Sequence, residues 1–397
     1  MKKQFQLRTV LALVLAASAL ASIVTVLCFY VYLGGGTPLF TEIKTYIALR
    51  RKIGSVYVGE ADSEEISHAA LSAAVGALGD RWSYYLTPEQ LQAYLESSSN
   101  EFAGIGVTVS KDEQSGGLLV EYVYPGSGAE RAGIEPGDVI VSVDGEDITG
   151  LEFDKAVGKV AREIGESVLL GVVGEGGVRR DVTVEYAVIV VNPVRYEMLE
   201  GGVGYIAIQN FEARCADEFI AAVDALVEDG AQSLIFDVRN NGGGRAVELI
   251  RMLDHLLPEG EIFVGITARG EEDVVYSDAD AVTRPAVVLV NQHSYSAAEY
   301  FAAVLREYNY AEIVGTRTTG KNRSQQTYLL PDGGALHIST GEYLTPNRVS
   351  LTETGGLEPD VVVEMSDEDN FALIYGKLPY EKDAQLQAAL ERLREAA

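Results

Sequence analysis

Two serines, Ser294 and Ser296, sit where the apolar run Ala286 to Asn291 gives way to the helix-like run AAEYFAAVL. A hydroxyl on that turn stands at the carboxyl edge of an α/β sheet, where such sheets bind ligands. The helix N-terminus behind it supplies free N–H groups and positive potential, which favour an oxyanion. The arrangement follows the logic of a nucleophile elbow, although no G-x-S-x-G is present. Serine is also a favoured helix N-cap, and the local residues alone fit that role equally well.

A serine nucleophile needs a base. His293 is too close in sequence to meet Ser296 in line and reads as a turn residue. Lys321 is the stronger candidate, because it follows strand AEIVG and the turn TRTTG. In a parallel sheet the end of that strand lies beside the turn that carries Ser296. A lysine partly buried there has a depressed pKa and can act as a neutral base, as in known serine–lysine variants of the triad. The run GTRTTGKN imitates a phosphate-binding loop, but Asn322 stands where a magnesium-binding Ser or Thr is needed.

These residues must be positioned by an α/β framework. GVGYIAI, SLIFDV, AVVLVN and AEIVG read as strands, with helices near 216–228, 246–257 and 297–308, which predicts a largely parallel sheet. Before it lies a β-rich module of about 90 residues, rich in glycine turns. The Asp144-Gly145 pair there signals a hairpin. Residues 34–100 read mostly helical, and 367–397 read as a polar, mainly helical tail.

The N-terminus places Lys2, Lys3 and Arg8 before an apolar stretch from Thr9 to Leu33, long enough to span a bilayer. The positive residues stay inside, so the chain from Gly34 onward faces outward. Small residues at Ala17 to Ala21 offer a cleavage site, but the apolar run continues past them, which favours an uncleaved anchor. The net charge of −28 argues against nucleic-acid binding. Cys28 and Cys215 are not expected to pair, and the four scattered histidines form no metal-ligand cluster. No metal or other cofactor is expected.

Taken together, the chain resembles the carboxy-terminal processing peptidases, or tail-specific proteases, over nearly all of its extracytoplasmic part. Their serine segment S-A-S-A-S-E is similar to Ser294-Tyr295-Ser296-Ala297-Ala298-Glu299. Their V-G-x-x-T-x-G-K-G-x-V-Q is similar to the run Val314 to Gln325, and their D-L-R-x-N-P-G-G to FDVRNNGGG at 236–244. The resemblance makes Ser296 the nucleophile, Lys321 the base and Gln325 the residue that orients the lysine, with Ser294 the runner-up nucleophile. Lys321 and Gln325 would share one face if both lay in a strand. Backbone N–H groups of Gly243 and Ala297 are implied as the oxyanion hole. Two departures stand out. Asn322 replaces a glycine, which asparagine's tolerance of left-handed backbone makes mild, and Gly242 replaces a proline.

The β-rich module resembles a PDZ domain, most specifically in AERAGIEPGDVIVSVDG. Gly104-Ile105-Gly106-Val107 is similar to its carboxylate-binding loop, onto which a peptide adds as a strand. Arg162 is the nearest match, off by one residue, to a PDZ arginine that senses activation in relatives.

The implied fold is an α/β core, mainly parallel and ClpP/crotonase-like, with an inserted PDZ domain, an N-terminal helical segment and one transmembrane helix. The expected divisions are a cytoplasmic stretch 1–8, an anchor 9–33, a helical segment 34–100, a PDZ domain 101–190, a serine peptidase core 191–366 and a tail 367–397. The expected protein is an extracytoplasmic, membrane-anchored serine endopeptidase whose substrates are unfolded or tail-exposed proteins. A homodimer formed through the helical segment and tail, and an activating partner, follow from the resemblance alone. A non-catalytic PDZ adaptor on a degenerate core and a small-ester hydrolase are the rival readings. The complete Ser, Lys and Gln positions weigh against the first and the PDZ module against the second.

Overall fold

The computed structural model describes residues 7–32, 35–174, 176–267, 269–374 and 376–396. It falls into two compact units, 1–74 and 75–397. In the first, the helix Leu7–Tyr32 contains a 24-residue span from Thr9 to Tyr32 of mean hydropathy 2.6, long and apolar enough to cross a membrane. Leu33 and Gly34, at the expected end of the apolar run, lie outside the described residues. The chain resumes as a helix at Pro38–Val56, where Pro38 occupies the first turn behind Thr37. Proline is tolerated there because the N–H it lacks would have no partner in any case.

Within the second unit, a six-stranded sheet forms the frame of the core. Its order is Val194–Leu199, Val203–Ile208, Ser233–Asp237, Ala286–Val290, Ala311–Gly315 and Val361–Val362. The first pair is antiparallel and the other four pairs are parallel, as the alternating pattern predicted. Both faces of the sheet are covered, which explains why SLIFD and AVVLV are buried at every residue instead of alternating. On one face pack the helices Cys215–Glu228, Ala246–Leu256 and Ala297–Glu307, around Phe211, Phe219, Phe236 and Phe301. On the other, the helix Ala384–Ala396 lays Leu386, Ala389 and Leu393 against Ile235, Leu289 and Val314. The tail is therefore not a polar appendage. One helical stripe of it completes the core.

A second, antiparallel sheet, not expected from the alternating pattern, flanks the first. Its central strand, Ala335–Leu344, pairs with Tyr84–Leu86, Gly260–Ile266 and Arg323–Leu329. The segment 34–100 is thus not uniformly helical: Tyr84–Leu86 is a strand of the catalytic unit.

The PDZ-like module is an antiparallel sheet in the order Val107–Lys111, Leu118–Val123, Val139–Val143, Ser167–Val173, Arg179–Glu185, with the helices Gly128–Arg131 and Phe153–Val160. Its own core is built on Leu118, Ile140, Leu170 and Val184. The Asp144-Gly145 turn has positive φ at both residues, 49° and 82°, as a tight hairpin demands. The chain enters and leaves through the antiparallel ribbon of Glu101–Gly104 with Ala187–Val190, which is the geometry of an inserted domain.

One buried ionic cluster ties the tail to the frame. The Arg239 guanidinium, with its side chain 1% exposed, donates to Asp237 at 2.6 Å and to Asp383 at 2.8 and 2.9 Å. It also donates to Gln385 at 3.1 Å, and Tyr205 donates to Asp237 at 2.7 Å. Removing one partner of such a cluster leaves a buried charge uncompensated. Asp383→Ala is expected to lower the unfolding free energy by about 3 kcal/mol, read by denaturant unfolding. An unchanged midpoint would show that the tail is not anchored through this cluster.

Candidate active site

The strand Ala286–Val290 ends in a turn pinned by Ser294. Its hydroxyl donates to the Val238 carbonyl at 2.7 Å and accepts the Asn291 N–H at 3.0 Å. Ser294 is fully buried. With its proton committed and no exposure, it is a structural residue of the turn. His293 is exposed, as a turn residue would be.

Ser296, 9% exposed, differs in its backbone. It precedes the helix Ala297–Glu307 with φ 58° and ψ −125°. An N-cap ordinarily has extended angles, so this backbone is strained, at a cost of about 1–3 kcal/mol. Surrounding bonds hold it: the Ser296 N–H donates to Glu299 at 3.1 Å, and Tyr295 N–H donates to the Asn241 carbonyl at 3.1 Å.

Glu299 is the centre of the arrangement. It is fully buried on the first turn of the helix. One carboxylate oxygen accepts the N–H groups of Ser296 and Lys321, the latter at 2.5 Å. The other accepts the Gly320 N–H at 2.9 Å and the Thr318 hydroxyl at 2.6 Å. Burial pushes its pKa up, while all four donors pull the other way by favouring the charged form. The Ser296 turn and the Lys321 loop are thereby held by one carboxylate. The sequence signal was present as Ser296-x-x-Glu299, a capping-box spacing.

Lys321 lies in the loop after Ala311–Gly315, the strand parallel to Ala286–Val290, as expected. Burial pushes its pKa down to about 8, with Asp80 and Glu299 opposing the shift and Arg81 adding to it. Tyr343, itself buried, places its hydroxyl 2.7 Å from the Lys321 carbonyl and 3.3 Å from Ser296 Oγ. The carbonyl can only accept, so Tyr343 spends its proton there and leaves its oxygen facing the serine hydroxyl. Ser296, Ala297, Gly243, Lys321, Gln325 and Tyr343 line one cavity of about 760 Å³.

Gln325 lines the same cavity as Lys321, and its NH2 donates to Ser339 Oγ at 3.1 Å and the Arg323 carbonyl at 3.0 Å. Lys321 precedes the strand Arg323–Leu329, and a bulge between Ser324 and Gln325 breaks the alternation that was to align the two. Gly243 lies against Ser296, where a Cβ would fall 2.8 Å from that of the serine and 2.9 Å from the Ala297 nitrogen, so only glycine fits. Its N–H, however, is taken by Asn241 Oδ1 at 2.8 Å. The Ala297 N–H bonds no acceptor among the described residues.

Asn322 has no positive φ, and the left-handed position is Gly320 at 85°. Asn322 instead uses its amide, donating to Ser350 and accepting from Thr352. Gly242 has a packing reason. A Cβ there would meet Tyr295 Oη at 2.6 Å. Tyr295 stands where the resembled segment has alanine, and its ring takes the room a proline would need. In the PDZ-like module, Gly106 has φ 88° and is pressed against Ser127, and Ile105 and Gly106 accept bonds from Ala129 and Tyr124. Val107–Lys111, which follows, pairs on one edge only among the described residues. Arg162 pairs with Asp144 and donates to the carbonyls of Lys159 and Ala161 within the same module.

Glu299→Gln substitutes an N–H donor for one acceptor facing four donors. It is expected to lower the unfolding free energy by about 1–3 kcal/mol, measured by chemical denaturation. A variant as stable as the parent would show that the carboxylate does not hold the two loops.

The profile of Peptidase family S41 matches residues 202–363, which contain Ser296, Lys321 and Gln325, and a PDZ-domain profile matches 119–173. The chain is 31% identical over 331 residues to the carboxy-terminal processing protease CtpA of Bacillus subtilis, covering 83% of this chain and 69% of that one. It is 33% identical over 316 residues to a Staphylococcus aureus protein named "Probable CtpA-like serine protease", covering 79% and 63%. The matches thus span about two thirds of these relatives' lengths. A solved Bacteroides fragilis structure assigned to the S41 proteases shares the fold, with a TM-score of 0.55 at 20% identity over 86% of this chain and 93% of that one. The chain belongs to the carboxy-terminal processing proteases of peptidase family S41 and carries their PDZ domain.

Proposed function

We propose that the chain is a membrane-anchored serine endopeptidase that works outside the cytoplasmic membrane on proteins with accessible C-terminal tails. The observation that carries the reading is the pair Ser296 and Lys321, a strained serine and a buried lysine opening on one cavity with their backbones bound to one carboxylate. The apolar helix and the N-terminal Lys2, Lys3 and Arg8 support anchoring with the catalytic unit outside.

In this reading a substrate tail adds as a strand to the open edge of Val107–Lys111, its carboxylate in the Gly104–Val107 loop. The chain then threads to Ser296. Neutral Lys321 takes the Ser296 Oγ proton as the oxygen attacks the scissile carbonyl. The developing oxyanion takes the Ala297 N–H and draws the Gly243 N–H away from Asn241, with each such donor contributing about 3 kcal/mol. Lys321 then passes its proton to the leaving amine, and water clears the acyl-enzyme.

The full-length chain is expected to cut an unfolded protein such as casein, read by mass spectrometry of the fragments, while Ser296→Ala and Lys321→Ala abolish cutting. Cutting that survives Ser296→Ala would remove the proposed nucleophile. No cutting by any version, together with tail-peptide binding by 101–190, would favour the adaptor reading.

The pH dependence follows from the lysine. Below a pKa of about 8 Lys321 is an ammonium and cannot accept a proton, so kcat/KM is expected to rise with pH and level off above about 8. A rate that is flat or falling between pH 6 and 8, on the order of two units, would contradict a lysine base.

A further inference from the structure

Lys321 has a long, flexible stem, and its Nζ must be held for proton transfer. Among the described residues no hydrogen bond from Nζ is made, and the bonds of Gln325 run from its NH2 to Ser339 and the Arg323 carbonyl. What lies against Nζ is aromatic. The Trp82 ring centroid is 4.6 Å away and that of Tyr295 is 5.9 Å away. The two rings pack on each other at 5.4 Å with a 32° tilt. The Arg81 guanidinium lies over the same indole at 4.1 Å.

Trp82 comes from outside both family matches, 202–363 and 119–173. It is delivered by the short strand Tyr84–Leu86, which pairs with Ala335–Leu344, Tyr84 opposite His337. The segment is stapled on both sides. The Trp82 backbone N–H donates to Asp80 at 3.2 Å, and the Ser83 hydroxyl donates to Asp80 at 2.6 Å. Ser83 in turn accepts the Ser339 N–H at 3.0 Å, and Tyr85 donates to Asp332 at 2.6 Å. The backbone that carries the indole is therefore fixed to the sheet that lines the cavity, and the ring itself packs on Tyr295.

We propose that Trp82 is the positioning residue for Lys321: its indole face fixes Nζ inside the catalytic cavity and keeps bulk water off it. The proposal rests on Lys321 being the base. An aromatic face attracts an ammonium, while the same cover disfavours its charge by desolvation. Desolvation is the larger effect at Lys321, since burial is the leading cause of its shift and the net shift is downward. The charged and titratable groups around it are Asp80 and Glu299, which favour the ammonium, Arg81, which disfavours it, and His337, whose own pKa the lysine and burial depress. Opening the site to water should therefore move the lysine's titration to higher pH.

Trp82 is the single tryptophan of the chain, so indole fluorescence reads this contact whether or not any peptide is cut. In the full-length chain, indole emission is expected to titrate with a midpoint near pH 8. Lys321→Met should abolish the transition and Ser296→Ala should keep it. No transition near that pH, or one that persists in Lys321→Met, overturns the contact.

In the protease assay, Trp82→Ala is expected to lower kcat about tenfold at neutral pH with KM changed less than about threefold, and to shift the rising limb upward. Trp82→Phe, which keeps a ring face, should recover most of the loss. An unmoved limb in a Trp82→Ala protein with the parent's unfolding midpoint overturns the positioning role. Should the alanine variant fail to fold, the limb of Trp82→Phe and the Lys321→Met titration decide. If the parent cuts nothing, the protease reading fails by itself, and the fluorescence still decides whether indole and lysine are coupled.

Discussion

The catalytic half of this protein turns on one buried carboxylate. Glu299 accepts four donors from two segments that meet only in the folded state, the Ser296 turn and the Lys321 loop. A charge removed from water is tolerable only when its lone pairs are filled, and here each oxygen takes two donors. The strained backbone of Ser296 persists because its amide is one of them. Without that anchor the serine would relax toward an ordinary N-cap, and Lys321 would lose its fixed backbone beside it.

The rest of the fold serves that junction. A sheet buried on both faces gives the strands Ala286–Val290 and Ala311–Gly315 a rigid parallel register, so the turns that leave their ends fall side by side. The C-terminal helix seals the second face, and the Arg239 cluster locks it to the strand that leads into the Asn241–Gly243 loop. A second sheet closes the cavity around the lysine with Trp82, Gln325 and His337. The PDZ domain is attached by a paired ribbon and keeps its own core, so it can present the open edge of Val107–Lys111 without disturbing the catalytic frame.

The parallel strands, their order of alternation with helices and the turn carrying Ser296 were legible, because buried strands leave unmistakable apolar runs. The choice between Ser294 and Ser296 was not visible in local chemistry. Both fit a turn, and only the three-dimensional environment commits Ser294 to the Val238 carbonyl. The lysine's burial was foreseen from its place after a strand, but the partners that fix it were not. Trp82 reaches it across a strand pairing that no periodicity announces. Lys321 and Gln325 do line one cavity, but through a loop and a bulge and not through a regular strand period, and the left-handed residue of that loop is Gly320. The occupied Gly243 amide could not be read from a glycine run, since its acceptor is the side chain of Asn241 two residues before it.

The most direct test of the central claim is covalent labelling. The full-length chain would be treated with a serine-directed phosphonate across pH 6 to 9, a span of about three units around the lysine's titration, and the adduct located by mass spectrometry. The account predicts a single adduct on Ser296 that forms faster as Lys321 loses its proton and vanishes in Lys321→Ala. An adduct on Ser294, or labelling of Ser296 at the same rate without the lysine, would contradict it.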